Sequence, residues 1–147
     1  MAAVDYFLKL DSIDGESLDR DRKDWIEVLS FSWGASNSGT GSVGGGAGAG
    51  KVSLQDFHFT ANFSKASPAL FLSCATGKHL KDATLIGRNA QTGNVEFIKI
   101  TLSDILISSY QTGGSGDGGL PTDQFSLNFA KIEYGGETFD ATGGGIG

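Results

Sequence analysis

Hydrophobic and polar residues alternate with a period of two along most of this chain. That period is typical of strands that are buried on one face and exposed on the other. It predicts strands at 4–10, 25–33, 57–63, 81–88, 94–102, 105–112 and 123–134. Strict alternation places Ser30 and Ser32 on the same face of their strand. The other residues of that face are Ile26 and Val28, and the opposite face carries Trp25, Glu27, Leu29, Phe31 and Trp33.

The period changes after residue 66, where the sequence predicts one short helix at about 68–76. Ser67 is a residue type that caps helix N-termini, and Pro68 suits the first turn because its missing N–H group costs nothing there. Gly77 is typical of a helix end. A helix this short must pack against the strands to be stable. Many strands with one helix predict a mainly β fold, either a closed or nearly closed β-barrel or a sandwich.

Glycine is concentrated in three segments of the chain, which has 23 glycines among its 147 residues. These segments are the run at 34–50, the run at 113–119 and the C-terminal tail at 135–147. The run at 34–50 joins two predicted strands and contains little that a core could bury, so we interpret it as an extended loop. Loops of this length are usually functional or disordered. The length of the chain fits a single domain over 1–147.

The charge and cysteine content exclude several kinds of partner and site. The net charge is −6 and the basic residues are scattered, which argues against binding to nucleic acid. The single cysteine, Cys74, excludes an intrachain disulfide and is interpreted as a small buried hydrophobic residue. The N-terminal sequence lacks the pattern of a signal peptide, and no segment is long and apolar enough for a membrane span. We therefore expect a chain that is made in the cytoplasm and does not insert into membranes.

The glycine run contains a formal match to a nucleotide-binding motif, but its context argues against that function. Residues 39–44 read G-x-G-x-x-G, and Lys51 follows the glycines as in a phosphate-binding loop. Such a loop must open a helix, whereas Lys51 leads into the alternating segment VSLQDFHF. His58, expected on a polar strand face, and His79, expected at the helix end, have no second ligand at metal-binding spacing. The sequence predicts no catalytic residue, cofactor or metal, and it favours a role in assembly.

Six blocks of the sequence are similar, in order, to one family of proteins. They are DYFLKLDSIDGES, IEVLSFSWG, GGGAGAGKVSLQDFHFT, SKASPALFLSCATGKH, SSYQTGGSGD and FSLNFAKIEY. Over residues 3–134 the chain resembles the Hcp family of hemolysin-coregulated proteins, which form the tube of bacterial type VI secretion systems. Consecutive blocks in the same order are far more specific than any short motif.

The resemblance implies a small β-barrel of two packed antiparallel sheets with one flanking helix. It also implies that six copies form a ring, and that stacked rings form the inner tube of a contractile machine. The tube is secreted when the surrounding sheath contracts. Family members act as receptor and chaperone for effectors in the lumen of the ring. The implied partners are other copies of the chain, secreted effectors, and the sheath and spike or baseplate proteins, with no catalysis and no cofactor.

The resemblance also assigns roles to particular positions. In the segment 31–34 the family's serine faces the lumen, which makes Ser32 a candidate effector contact, and Ser30 shares its face. The glycine-rich segments are the candidate ring-stacking loops. Their residues are Gly39, Gly41, Gly44, Gly45, Gly46, Gly48, Gly50, Gly113 and Gly114. A closed ring also needs two different subunit faces, for which the alternation offers Ile26 and Val28 as surface residues.

Beyond residue 134 the chain departs from the family pattern. Family members continue into a further strand that contains Gly-Trp, whereas this chain reads YGGETFDATGGGIG. We therefore expect the final strand to be shortened or missing.

Other functions fit the same sequence features. A tail-tube protein of a phage or of an extracellular contractile injection particle would share the fold and the ring. A monomeric ligand-binding β-domain, such as a carbohydrate-binding or adhesin-like domain, would also be glycine-rich and acidic. A small hydrolase is a third alternative, because the residues of a catalytic triad are assembled in space rather than in sequence.

Overall fold

The computed structural model describes residues 4–39 and 51–142 of the chain. Within these ranges it has nine strands, one α-helix and a short 3-10 turn at Ala90–Thr92. The strands are β1 (Val4–Leu10), β2 (Ile26–Ser32), β3 (Ala35–Asn37), β4 (Val52–Leu54), β5 (Phe57–Asn62), β6 (His79–Asn89), β7 (Val95–Gly113), β8 (Thr122–Tyr134) and β9 (Glu137–Asp140), and the helix is α1 (Ala66–Thr76).

Six of the strands form a closed antiparallel barrel. Their order is β5-β2-β1-β6-β7-β8, and β5 pairs with both β2 and β8, so the sheet closes on itself. Strand β9 extends the edge of β8, while β3 and β4 form a separate two-stranded sheet. The prediction of a mainly β barrel with one helix is confirmed. Closure satisfies the edge hydrogen bonds of the six strands, which an open sheet would leave exposed.

Aromatic rings from β5 and β8 fill the centre of the barrel. Phe57, Phe59 and Phe125 are completely buried. The ring centroids of Phe57 and Phe59 are 5.1 Å apart, and those of Phe59 and Phe125 are 5.4 Å apart. These rings point inward because they alternate with polar residues on strands that have one buried face. Their burial removes a large apolar area from water, which stabilises the closed barrel.

A β-bulge in β2 changes which residues of this strand face the core. The pairing of β2 with β5 shifts register between Val28 and Ser30, and the extra residue, Leu29, is 56% exposed. The predicted strict alternation is therefore wrong here. Ile26 and Val28 are buried before the bulge, and Phe31 packs against the same core after it. A bulge adds one residue to one strand, so the alternation is reversed beyond it.

Helix α1 begins two residues before its predicted start and is anchored to the barrel by a buried hydrogen bond. Lys65 occupies the N-cap position without a side-chain cap bond, so the prediction that Ser67 caps the helix is wrong. Ser67 is buried in the first turn and donates its hydroxyl hydrogen bond to the carboxylate of Asp123 in β8. Gly77 follows the helix with a φ of 65°, a left-handed conformation that glycine adopts without strain.

The sequence patterns divided one long strand and missed three short ones. The segments 94–102 and 105–112 both belong to β7, whose pairing with β8 continues from Ser103 to Ile105. Strand β3 lies inside the run at 34–50, its partner β4 begins just after that run, and β9 lies in the tail, so neither segment is a loop throughout. The last strand is short rather than missing. Strands of three or four residues contain too few repeats for a period to be recognised.

The segment between β1 and β2 covers the outer face of β1 and β6. Arg88 of β6 donates a hydrogen bond from Nη1 to Oδ2 of Asp19 over 3.0 Å, and its guanidinium lies 4.7 Å from the ring centroid of Phe7. The hydrogen bond from Arg88 holds the pKa of Asp19 below its ordinary value. Phe7 and Arg88 are buried on this side as a result.

Candidate functional surfaces

Ser30 and Ser32 both lie on the outer face of the barrel and are exposed. Ser30 pairs with Thr60, and Ser32 pairs with His58, across the boundary between β2 and β5. In an antiparallel pair, directly opposite residues have their side chains on the same face of the sheet. The two serines therefore share a surface with two polar residues of β5. Side chains of these types both donate and accept hydrogen bonds.

The residue between the two serines fixes their position. Phe31 faces the core, where its ring lies edge-on to Tyr6 at 5.1 Å and stacks on Phe57 at 5.8 Å. Because closely packed aromatic rings leave little room for rearrangement, the backbone around Phe31 is held in place. The serine hydroxyls are thus presented on a rigid strand rather than on a loop.

The two predicted stacking segments leave the barrel at opposite ends. Gly39 follows β3, which comes directly after the end of β2. Ser32 at the end of β2 pairs with His58, near the start of β5. Gly113, the last residue of β7, pairs with Thr122 of β8, and Thr122 also pairs with Asn62, the last residue of β5. The length of β5 therefore separates the two segments along the barrel.

Gly39 in the first segment and Gly114 in the second have different local conformations and neighbours. Gly39 has a φ of 71°, and its N–H donates a hydrogen bond to Oδ1 of Asn37 over 3.0 Å. The remaining candidates of that segment lie outside the described residues; they are Gly41, Gly44, Gly45, Gly46, Gly48 and Gly50. At Gly114 a Cβ atom would lie 3.3 Å from Cγ of Pro121, so this glycine lets the two sides of the second segment approach closely.

The residues predicted to form a subunit contact, Ile26 and Val28, are buried, and an exposed groove lies next to them. These two residues are only 3% and 6% exposed, so the prediction that they form surface is wrong. An open groove of about 410 Å³ lies beside them, and its exposed apolar residues are Leu29, Phe63 and Leu120. The sequence did contain one sign of this surface, the adjacent apolar residues Val28 and Leu29. In a strand with one buried face only one of two neighbours can be buried, so the other must be exposed.

A buried carboxylate connects α1 to the barrel. Asp123 is 1% exposed and accepts hydrogen bonds from the hydroxyl of Ser67 and, over 3.1 Å, from Oη of Tyr110. Burial, together with the hydrogen bond to Asp123, raises the pKa of the Tyr110 phenol. The two hydroxyl donors satisfy the buried carboxylate, and the arrangement serves to fix the helix rather than to present a reactive group.

The remaining candidates for chemistry do not form a cluster. Within residues 4–39 and 51–142, no group of three or more His, Cys, Asp or Glu side chains is placed to hold a metal ion. His58 lies on the polar face of β5 as predicted, but His79 begins β6, with Nδ1 3.1 Å from Oδ1 of Asp104. Cys74 packs against the core while remaining partly exposed. In the same described ranges, no helix has the length and apolar character to cross a membrane.

Comparison with known protein families gives a match along most of the chain. Residues 7–135 match the family model described as "Type VI secretion system effector, Hcp". The curated Protein hcp1 of Pseudomonas aeruginosa is 43% identical over 132 residues, which cover 89% of this chain and 82% of that protein.

Solved structures show the same fold. The crystal structure of Hcp1 from Salmonella typhimurium has a TM-score of 0.82 and 36% sequence identity, and the match covers 99% of this chain and 100% of that one. A type VI secretion system effector from Yersinia pestis has a TM-score of 0.74 and 30% identity, with 97% of this chain and 95% of that one covered. The similarity therefore includes both the barrel and α1.

Proposed function

This chain belongs to the Hcp family of type VI secretion system proteins, and we propose that it is the ring subunit of a secretion tube. In this proposal six copies form a ring, rings stack into a tube, and the tube is secreted when the surrounding sheath contracts. The ring binds effectors in its lumen and acts as their receptor and chaperone. The family is one of structural tube proteins, and the proposed action is assembly rather than catalysis.

The position of the two glycine-bearing segments at opposite ends of a closed barrel carries the proposal. Identical rings stack head to tail when the two ends of each subunit present different surfaces that meet. Strands β3 and β4, which flank the first segment, come after the end of β2 and before the start of β5, whereas the segment between β7 and β8 begins at the other end of the barrel. Glycine lets one backbone approach another with little steric cost, which suits a contact between rings.

The groove beside β2 supports the lateral contact within the ring. A closed ring joins two different faces of neighbouring subunits. Leu29, Phe63 and Leu120 are 56%, 44% and 67% exposed, although they are large apolar residues. Contiguous exposed apolar residues mark interaction surfaces. We propose that the groove forms one of the two faces of the subunit contact.

Electron microscopy of the purified protein, combined with mass measurement, tests the ring. We expect annular particles with an open pore and a mass of about six times 15.3 kDa. The measurement should be made over a range of concentrations, because assembly follows mass action. A strict monomer at high concentration would contradict the proposal and favour a monomeric ligand-binding domain.

Replacing Ser32 with Gln should reduce effector binding while leaving the ring intact. The longer side chain points outward from β2, so it changes the exposed surface without entering the core. Each ring gains one such change per subunit, and we expect the amount of co-purified effector to fall several-fold. Effectors produced together with the protein should be quantified by mass spectrometry after ring purification.

Ala75→Gln, at an exposed position of α1, provides the matched control. It adds the same side chain to a different surface and should retain effectors as the unchanged protein does. Full retention of every effector by the Ser32→Gln ring would refute the assignment of Ser32.

Replacing residues 39–49 with a short turn should weaken ring stacking and preserve the ring. Strands β3 and β4 would remain joined by a tight connection, and neither belongs to the barrel, so the barrel keeps all its pairings. We expect single rings where the unchanged protein forms stacks, as observed by electron microscopy at matched concentration. Stacks of unchanged length in this variant would rule out a contact role for the segment.

A further inference from the structure

We infer that His58 makes the effector contact at Ser32 dependent on pH, and this inference rests on the proposed function. While the imidazole of His58 is neutral, the contact favours a basic surface on the effector. When the imidazole is protonated in acid, this preference is lost and the effector is released.

His58 lies on β5 directly opposite Ser32 of β2. Residues that are directly opposite in antiparallel strands share a face, and their Cβ atoms are about 4.5 to 5.5 Å apart. Ser32 is exposed and the side chain of His58 is half-buried. A protein that covers the hydroxyl of Ser32 therefore also covers part of the imidazole of His58.

The imidazole of His58 has no hydrogen-bond or ion-pair partner within residues 4–39 and 51–142. The other histidine of the chain differs in this respect, since Nδ1 of His79 lies 3.1 Å from Oδ1 of Asp104. Both ring nitrogens of His58 are thus available to solvent and to a bound protein. An imidazole nitrogen accepts a hydrogen bond when it is neutral and only donates when it is protonated.

One carboxylate lies beside His58 on the same face of the barrel. Asp56 is two residues earlier in the chain, so the alternation of an extended chain places it on the side of His58. Its Oδ2 accepts a hydrogen bond from Ser108 over 2.6 Å, and its Oδ1 accepts one from Asn128 over 3.1 Å. These bonds hold the carboxylate on the outer face, where it gives the contact a negative charge at neutral pH.

The neighbouring strands add no basic side chain to this part of the surface. The one charged residue of β2 is Glu27, which precedes the bulge. Lys51 lies beyond β4, at the far end of the separate two-stranded sheet. Strand β8 carries Asp123, which is buried, and Lys131 and Glu133, which lie where β8 pairs with β9 rather than with β5.

Protonation of His58 changes the charge of the contact without moving the chain. Histidine ordinarily gains its proton between about pH 8 and pH 5, whereas hydroxyl and amide groups stay uncharged over this range. The imidazolium places a positive charge beside the carboxylate of Asp56, so the two charges largely cancel. Covering an imidazolium also costs desolvation energy unless the effector supplies a carboxylate.

The direction of this change identifies the partner class. Lys and Arg side chains of a basic effector surface donate hydrogen bonds both to the carboxylate of Asp56 and to a neutral imidazole. Such a surface meets a neighbouring cation once His58 is protonated, and it is then held less tightly. An acidic effector surface would bind more tightly in acid.

Charged thiol reagents test the local charge on single subunits, with no need for rings or effectors. In a Cys74→Ala background, Ser32→Cys places the one thiol of the chain opposite His58. The reaction rates of a cationic and an anionic methanethiosulfonate reagent are each divided by the rate with mercaptoethanol at the same pH. At an ionic strength of about 0.01 M the Debye length is about 30 Å, and we expect the cationic-to-anionic ratio to fall about fivefold from about pH 8 to about pH 5.5.

Two histidine variants assign the pH dependence to one residue. In the same background, His58→Gln should abolish the fall in the ratio and keep the preference for the cationic reagent. His79→Gln is the matched control and should show the same fall as the parent. If Ser32→Cys folds poorly, Ser30→Cys on the same face takes its place. A ratio that does not change with pH, or a preference for the anionic reagent at about pH 8, would overturn the inference.

Release of effectors from purified rings is the second measurement. Rings that carry co-produced effectors are washed at about pH 8 and at about pH 5.5, and the released proteins are quantified by mass spectrometry. We expect release of basic effectors to be several-fold greater in acid for the unchanged rings and nearly equal at the two pH values for His58→Gln. Equal release in acid from both kinds of ring would overturn the role of His58.

Failure of the proposed function gives a different result. Absence of rings in the unchanged protein would overturn the proposed function, and with it the role of His58 in effector release. The reagent ratio on single subunits is measured independently of ring formation. The two failures are therefore distinguishable.

Discussion

Phe59→Ala should lower the free energy of unfolding by about 4 kcal/mol, because it removes a fully buried ring and leaves a cavity. Phe59 is 0% exposed and its ring stacks on those of Phe57 and Phe125. Phe59 also lies on β5, the strand that joins β2 to β8 and closes the barrel. Urea unfolding followed by tryptophan fluorescence measures the change. All variants should be compared at one subunit concentration, since assembly stabilises the folded chain.

Phe97→Ala is the matched control for this substitution. Phe97 is 55% exposed, so truncation leaves no closed cavity, and we expect a loss of no more than about 1 kcal/mol. Equal unfolding midpoints for Phe59→Ala and the unchanged protein would contradict the central role given to the aromatic stack.

Gly15→Ala should lower the free energy of unfolding by about 3 kcal/mol, because the added methyl group meets backbone atoms that cannot turn away. A Cβ atom at this position would lie 2.5 Å from the carbonyl oxygen of Trp25 and 2.7 Å from Cα of Ile26. The two chain segments are held at this distance by a hydrogen bond of 2.7 Å from the N–H of Gly15 to the carbonyl of Asp24. The substitution is therefore expected to push the segment between β1 and β2 away from the start of β2.

Gly116→Ala provides the control for the glycine substitution. No atom lies within 4 Å of the position that its Cβ would occupy, and it is not one of the described glycines with a positive φ. We expect its stability to stay within about 0.5 kcal/mol of the unchanged protein, since an alanine without strain mainly restricts the unfolded chain. Thermal unfolding of both variants measures the difference, and a stable Gly15→Ala protein would show that the segment can move away from Trp25.

Much of the barrel was predictable because strand periodicity is a local property. The alternation of phenylalanine with polar residues at 57–62 predicted both β5 and its buried face. The helix was also predicted, but its first residue was not. Ser67 donates its hydroxyl hydrogen bond to Asp123 in β8 instead of capping the helix. The role of Ser67 depends on Asp123, which is far away in the sequence, so no local pattern near the helix could predict it.

The candidate surfaces were predictable only where the local alternation was regular. Ser30 and Ser32 lie on one exposed face as expected, because the bulge at Leu29 comes before both. Ile26 and Val28 precede the bulge and were therefore assigned to the wrong face. The groove was not predicted, because Leu29, Phe63 and Leu120 are far apart in the sequence and line one groove only in the folded chain.

The sequence by itself determined that this protein is a β-barrel of the Hcp family with two exposed serines on one strand. Its local alternation of apolar and polar residues specifies strands, and the order of its motifs specifies the family. Only the tertiary structure decided which strands are neighbours, and hence that Ser30 and Gln124 lie on either side of Thr60 in the closed barrel. The physical reason is that register between distant strands is set by barrel closure around the aromatic core, which no local pattern encodes.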